Sequence, residues 1–343
     1  MKLVFSKSEL SKAVGIVMKA VPTRTTMNIL ECILIDATTN VIKFTSNDME
    51  LGIETIVEGE IIEKGKVAIE AKLFSEIVRR SPDNEVTIST DANYTSLITC
   101  EKSKINIAGK SGEDFSFLPI IDKDKMITIS QFNLKEIINQ TIFSTAPNDN
   151  NKMMTGELFE VSDNTLKVVG LDGHRIAIRS IQLEGRADDV KAVVPGKTLQ
   201  EISKLMSTDA ENMVNIYFTN NHILFEFDNT IVVSRLIEGE YFKINQMLSS
   251  DYETKVVINK KEFIGSIDRA NLLITESEKK PIIINITDGS LEVTVNSSKG
   301  KFNEDINIKK EGKDLMIGFN PKFLMDALRV IDDENVDIYL VNP

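Results

Sequence analysis

The stretch "VVGLDGHRIAIRS", residues 168–180, sets His174 two positions after Asp172, and it holds one of only two histidines among 343 residues. A carboxylate that orients an imidazole is the core of general acid–base and nucleophilic hydrolysis, yet that chemistry needs a further nucleophile or metal. The chain has no GxSxG elbow, no HExxH pair, no P-loop and no glycine-rich dinucleotide fingerprint. Cys32 and Cys100 stand in no CxxC or Cys/His spacing, which argues against a structural zinc site and for a reducing compartment. No catalytic residue, metal or cofactor is therefore assigned. A hydrolase built on Asp172 and His174 stays open only as a minor alternative. The plain reading is a turn in which Asp172 and Gly173 shape the bend and His174 packs.

The elements that would position this turn are written three times. "KVAIEAKLFSEIVRRSPDNEVTIST", "KAVVPGKTLQEISKLMSTDAENMVNIYFT" and "DLMIGFNPKFLMDALRVIDDENVDIYL" each read strand, amphipathic helix, acidic turn, strand, at a period of about 125 residues. "KLVFSKSELSKAVGIVMKAV", "MITISQFNLKEIINQTIFSTA" and "KVVINKKEFIGSIDRANLLI" repeat a second strand and helix. "NVIKFTSNDMELGIETIVEGE", "NTLKVVGLDGHRIAIRSIQLEGR" and "GSLEVTVNSSKGKFNEDINI" alternate as hairpins, and only the second carries the Asp-His pair. Three α+β modules follow, at residues 1–125, 126–253 and 254–343, with both helices of each on one face of antiparallel sheet. The third reads as shortened by about two strands, because "VDIYL" is followed only by Val341, Asn342 and Pro343.

Net charge is −12 with a pI near 4.9, so the average surface repels nucleic acid and acidic membranes. "MKLVFSKSEL" lacks the form of a signal peptide, and no run approaches the ~18 apolar residues of a membrane helix, so a soluble cytoplasmic protein is expected. Against this acidic background one helical face stays basic. Lys72, Glu76 and Arg79 share a face by their spacing, with Leu73, Phe74, Ile77 and Val78 opposite; Lys197, Glu201, Lys204 and Lys322, Asp326, Arg329 repeat it. A solvated face would show the same pattern in any one helix, but its return in every module points to a shared polyanion. Six helices packed ~10 Å apart enclose a bore of ~9 Å, too narrow for a duplex, whereas the twelve of two chains give ~28 Å. The grooves of B-DNA alone sum to ~16 Å in depth.

From "MKLVFSKSEL" and "TRTTMNIL" through "MTGELFE", "GLDGHRIAIRS" and "SRLIEGEYF" to "IGFNPKFLMDAL", the chain resembles the bacterial DNA polymerase III beta-subunit family, the sliding clamps. The resemblance implies a ring-forming fold of three DNA-clamp modules per subunit. It also implies a head-to-tail homodimer that encircles duplex DNA without reading sequence, and a non-catalytic processivity factor for the polymerase. Polymerase, clamp-loader and repair partners would attach through short peptides to a groove in the second module, with no membrane involved. It places that groove on Met154, Leu171, Gly173, His174, Arg175, Ile176, Phe242 and Met247, where Phe242 replaces the family's more usual proline. Arg24 and Asn148 join Lys72, Arg79, Lys197, Lys204, Lys322 and Arg329 as DNA contacts. Leu272 and Leu273 become dimer contacts facing Leu73 and Ile107. A repeat scaffold that binds proteins but no DNA is the competing reading; it would keep the groove and dispense with the basic faces.

Overall fold

The computed structural model describes residues 1–185, 187–248, 251–275 and 280–342. The first repeat runs β1 (Lys2–Ser6), α1 (Lys7–Val17), β2 (Cys32–Asp36), β3 (Ile42–Asn47), β4 (Leu51–Val57), β5 (Glu60–Glu63), β6 (Lys66–Glu70), α2 (Ala71–Arg80), β7 (Glu85–Thr90), β8 (Thr95–Cys100) and β9 (Ser103–Ser111). The second runs β10 (Met126–Ser130), α3 (Gln131–Asn139), β11 (Gly156–Ser162), β12 (Thr165–Leu171), β13 (Ile176–Gln182), β14 (Val190–Pro195), α4 (Gly196–Leu205), β15 (Met213–Phe218), β16 (His222–Phe227) and β17 (Thr230–Arg235). The third runs β18 (Thr254–Asn259), α5 (Lys260–Asn271), β19 (Ile282–Thr287), β20 (Ser290–Ser297), β21 (Gly300–Gly312), β22 (Leu315–Phe319), α6 (Pro321–Arg329) and β23 (Asn335–Leu340).

The helices start where the sequence supplies a cap. Ser6, Ser130 and Asn259 accept from the backbone N–H three residues on, at 3.2, 3.1 and 3.1 Å, and so open the first helix of each repeat. Each such bond satisfies one of the orphan donors of a first turn and is worth about 1 kcal/mol. The second helices are capped by Glu70 and Asn320 but by no side chain at Pro195. Helices pair within each repeat, α1 with α2, α3 with α4 and α5 with α6, and every strand pairing is antiparallel.

By contacts the chain divides into two compact units, Met1–Gly239 and Glu240–Pro343. Within the first unit the first two repeats share a 13-stranded sheet, because β17 pairs with β4 from Thr230↔Thr55 to Ser234↔Leu51. Val232 and Ile53 face each other in that ladder and are fully buried. The strand β9 changes partners along its length: residues up to Ala108 pair with β8, and Gly109 to Ser111 pair with β6. One core holds Phe5, Phe44, Phe74, Phe159 and Phe225, and Cys100 lies in it as a free thiol. The second unit carries its own core around Phe263, Ile267, Val293 and Ile284, under a six-stranded sheet in the order β22-β19-β20-β21-β18-β23. Among the described residues no helix is long and apolar enough to cross a membrane.

Two expectations about packing are corrected. Leu73 is not on the buried face of α2; it is 47% exposed, since Ala71, Phe74, Ile77 and Val78 already fill the inward stripe. Ile107 is not a surface residue; at 6% exposure it belongs to the core, because it sits beside the point where β9 crosses onto β6. Ile105, two residues nearer the free part of β9, lines a shallow groove with Leu73, Ile77 and Arg80 instead.

Candidate functional site

The turn between β12 and β13 is built around Asp172. Leu171 and Ile176 close the ladder, and Asp172 Oδ1 accepts from the backbone N–H groups of His174 and Arg175 at 3.0 and 3.2 Å. Gly173 takes φ +81°, a conformation that disfavours any side chain. Oδ2 accepts from Arg175 Nε at 3.0 Å, and both side chains of this pair are largely buried. The carboxylate thus serves the turn and the guanidinium.

Arg175 also donates through Nη2 to the Phe143 carbonyl and stands over the Phe143 ring at 5.3 Å. It ties the hairpin to the segment 142–146 that follows α3. That segment is in turn bound to the helical turn Lys152–Thr155, with Ala146 N–H donating to the Met154 carbonyl at 2.8 Å. The Met154 side chain lies against Gly173, its Cε 3.8 Å from where a β-carbon would stand. Three segments distant in sequence therefore meet at one surface. His174 and Gly173 are exposed there, and Met154, Arg175 and Ile176 are half-buried.

Leu171 differs from expectation. At 3% exposure it supports the surface from beneath rather than lining it, because the closing pair of a hairpin on a packed sheet points one side chain inward. Phe242 and Met247 fall in the second unit, Phe242 half-buried with its ring edge-on to Tyr241 at 5.5 Å, and Met247 exposed. Two residues missed in the sequence stand under the turn. A β-carbon on Gly170 would come 2.7 Å from the Thr141 carbonyl oxygen and 3.3 Å from Glu157 Oε1, so β12 and the 141–146 segment touch main chain to main chain. Glu157 was legible as an acid on the inward face of an alternating strand, with Phe159 and Val161.

The basic faces repeat in three dimensions. In α2, α4 and α6 the cations Lys72, Arg79, Lys197, Lys204, Lys322 and Arg329 are exposed, while Glu76, Glu201 and Asp326 at the middle position are half-buried. Arg79 Nη2 reaches Glu76 Oε2 at 2.7 Å, and Lys204 Nζ reaches Glu201 Oε1 at 2.8 Å. Hydrogen bonding from Arg79 holds the Glu76 carboxyl below its usual range and raises Arg79 in return. Glu76 and Glu201 each steady a cation, and all three acids are less exposed than the cations beside them, so the outermost charge of every face is positive. Lys197 Nζ also reaches Asp48 Oδ2 at 2.9 Å. Arg24 and Asn148 are exposed at equivalent places in the loops after α1 and α3. Leu272 caps α5 and is 74% exposed, and Leu273 packs partly against the second core. Among the described residues no three His, Cys, Asp or Glu side chains cluster to hold a metal ion.

Comparison with known proteins agrees along the whole chain. The N-terminal, central and C-terminal domains of the DNA polymerase III beta subunit match residues 1–119, 128–243 and 245–343. The beta sliding clamp of Staphylococcus epidermidis is 36% identical over 331 residues, covering 94% of this chain and 88% of its own. Among solved structures, a Eubacterium rectale protein assigned to the DNA polymerase III beta subunit is 65% identical with a TM-score of 0.97, covering 100% of this chain and 93% of that one. The DNA polymerase sliding clamp of Bacillus subtilis is 31% identical with a TM-score of 0.96, at 100% and 93% coverage. The three-repeat α+β chain therefore belongs to the bacterial DNA polymerase III beta-subunit family, the beta sliding clamps, and is a non-catalytic DNA polymerase processivity factor.

Proposed function

We propose that two copies close head to tail into a ring around duplex DNA, the first repeat of one copy meeting the third repeat of the other. The observation that carries this is the β17–β4 ladder, a junction between repeats that the chain already makes once. Strands β15, β16 and β17 repeat β7, β8 and β9 with Val232 at the place of Ile105, and β3 and β4 recur as β20 and β21 with Ile53 at the place of Phe302. Among the described residues, the first half of β9 pairs only with β8, and the first half of β21 only with β20. Open edges of that kind invite pairing. Transferring the known register sets Ile105 opposite Phe302 of a second copy, and both are half-buried in the single chain.

The helices agree. Lys19 Nζ pairs with Glu201 Oε2 at 3.5 Å across the existing junction, and the repeats put Leu272 at the place of Lys19 and Glu76 at that of Glu201. The exposed Leu272 would then meet the α2 turn that displays Leu73. The basic faces of α2, α4 and α6, with Arg24 and Asn148, supply phosphate contacts, which position a duplex without reading it. Short peptide segments of polymerase, clamp-loader and repair partners bind at the surface formed by Met154, Gly173, His174 and Ile176, where apolar walls take anchor side chains. Arg175 and Leu171 hold that surface in place. The test joins oligomeric mass in solution to retention on DNA. Dimers that stay on closed circular DNA and run off linear DNA are expected, and a monomer with equal retention on both would overturn the ring.

A further inference from the structure

Glu157 lies inside the first unit with 0% exposure, and neither carboxyl oxygen has a hydrogen-bond partner. It is wedged where Gly170 and Thr141 meet, the residues that lead directly into the Leu171–Ile176 turn and the Phe143 segment that Arg175 joins. The Thr141 hydroxyl donates to the Ile137 carbonyl at 2.7 Å, so it has lone pairs rather than a proton to offer. Such a niche accepts a carboxylic acid and rejects a carboxylate. The charged residues on the elements packed against β11 are Lys167 on β12, Lys191 on β14, Lys152 in the 152–155 turn, and Lys197, Glu201 and Lys204 on α4. None of them acts on the carboxyl; burial pushes it up to about 8.

We propose that Glu157, kept uncharged, is a positioning residue that holds the end of β12 against Thr141 and so sets the turn bearing His174, with partner binding weakening in alkaline solution. This rests on the reading of the turn as the peptide site. Ionisation would place an unsolvated charge between two main-chain segments that have no space for a methyl group, and the segments must part to admit water.

Two readouts separate this proposal from the peptide reading. A cysteine replacing the buried Leu171 reports opening of the turn by its rate of maleimide labelling, compared at pH 6.5 and 9 with Glu157 or with Glu157→Gln. A carboxyl that titrates near 8 when closed and near 4.5 when solvated makes the rate with Glu157 rise about 30-fold more than with glutamine. A labelled peptide with leucine and phenylalanine anchors should lose affinity over the same range for the parent and for His174→Ala, and keep it for Glu157→Gln. Glu157→Met, apolar and of similar length, replaces the glutamine variant if that one fails to fold. Divergent labelling without peptide binding to any variant at pH 6.5 would sustain the positioning role and remove the peptide reading. Equal labelling ratios at both pH values overturn the proposal.

Discussion

Replacing Ile105 with alanine tests the closure of the ring at the residue where the repeats place it. At the existing junction Val232 and Ile53 are buried completely, so the transferred pair Ile105 and Phe302 should be buried to the same degree between copies. Truncating a buried isoleucine costs about 2–5 kcal/mol, and the lower end applies because Ile105 already packs partly against its own core. A head-to-tail dimer closes through two identical junctions, so the loss counts twice: about 4 kcal/mol, or roughly a thousandfold in the dimer dissociation constant. Sedimentation velocity across a nanomolar to micromolar dilution series reads this directly. The register is tested separately by cysteine pairs. Ile105→Cys with Phe302→Cys in one chain should give a covalent ring after oxidation, whereas Ile105→Cys with Lys301→Cys should not, since a one-residue step moves the side chain to the other face. An Ile105→Ala dimer as tight as the parent, or cross-linking through position 301 instead of 302, would refute the transfer of the junction.

Charge reversal at Arg24, Lys72, Lys197 and Lys322 should weaken DNA retention and flatten its salt dependence by about 0.9 in the log–log slope per lost contact, with unfolding free energy changed by less than about 1 kcal/mol. His174→Ala should cost peptide affinity and leave the melting temperature alone. Arg175→Ala should lower both, because Asp172 Oδ2 and the Phe143 carbonyl each lose the guanidinium donor, at about 1.5–3 kcal/mol in urea unfolding. Gly170→Ala should destabilise by about 1–3 kcal/mol, since the atom 2.7 Å from the new methyl is the Thr141 carbonyl oxygen, which cannot swing aside as a side chain would. Because burial raises the Glu157 carboxyl to about 8, the folded chain holds a proton that the unfolded chain has released above 4.5. Its contribution is whole below 4.5, declines as pH rises to 8, and is then gone, on the order of 4–5 kcal/mol over the range; Glu157→Gln should remove that slope from urea titrations at pH 5 to 9.

Helix pairs, hairpins and the three basic faces were legible because their signals are local: a period near 3.6 or 2, a capping residue, and recurrence near 125 residues. Leu73 was misread since α2 is apolar on five of its ten positions and periodicity alone does not say which four point inward. Ile105 and Ile107 share a face of β9, and only the change of partner at Gly109 separates the one at an open edge from the one in the core. Arg175 carries the charge of a binding residue, but its partner Phe143 lies 32 positions away, which no spacing rule connects. The fusion of two repeats through β4 and β17 is likewise a matter of edges, and edges have no signature in a single strand's composition.

The charge distribution resolves the contradiction between an acidic chain and a DNA-holding function. The surplus of 52 acidic over 40 basic residues is not spread evenly, since α2, α4 and α6 keep cations outermost and draw their own acids inward. In the proposed ring those faces line the bore, so a duplex outside meets net repulsion and a duplex inside meets weak, screened attraction. A purely basic protein would gain affinity at the expense of movement, because every phosphate contact it made would have to break for each step along the helix axis. A link that is topological needs no such affinity, and a modest attraction that centres the duplex is enough. The three identical spacings of lysine, acid and second cation then describe a bearing surface. The peptide site proposed above uses none of those cations and stands on the one hairpin of three that carries Asp172, His174 and Arg175.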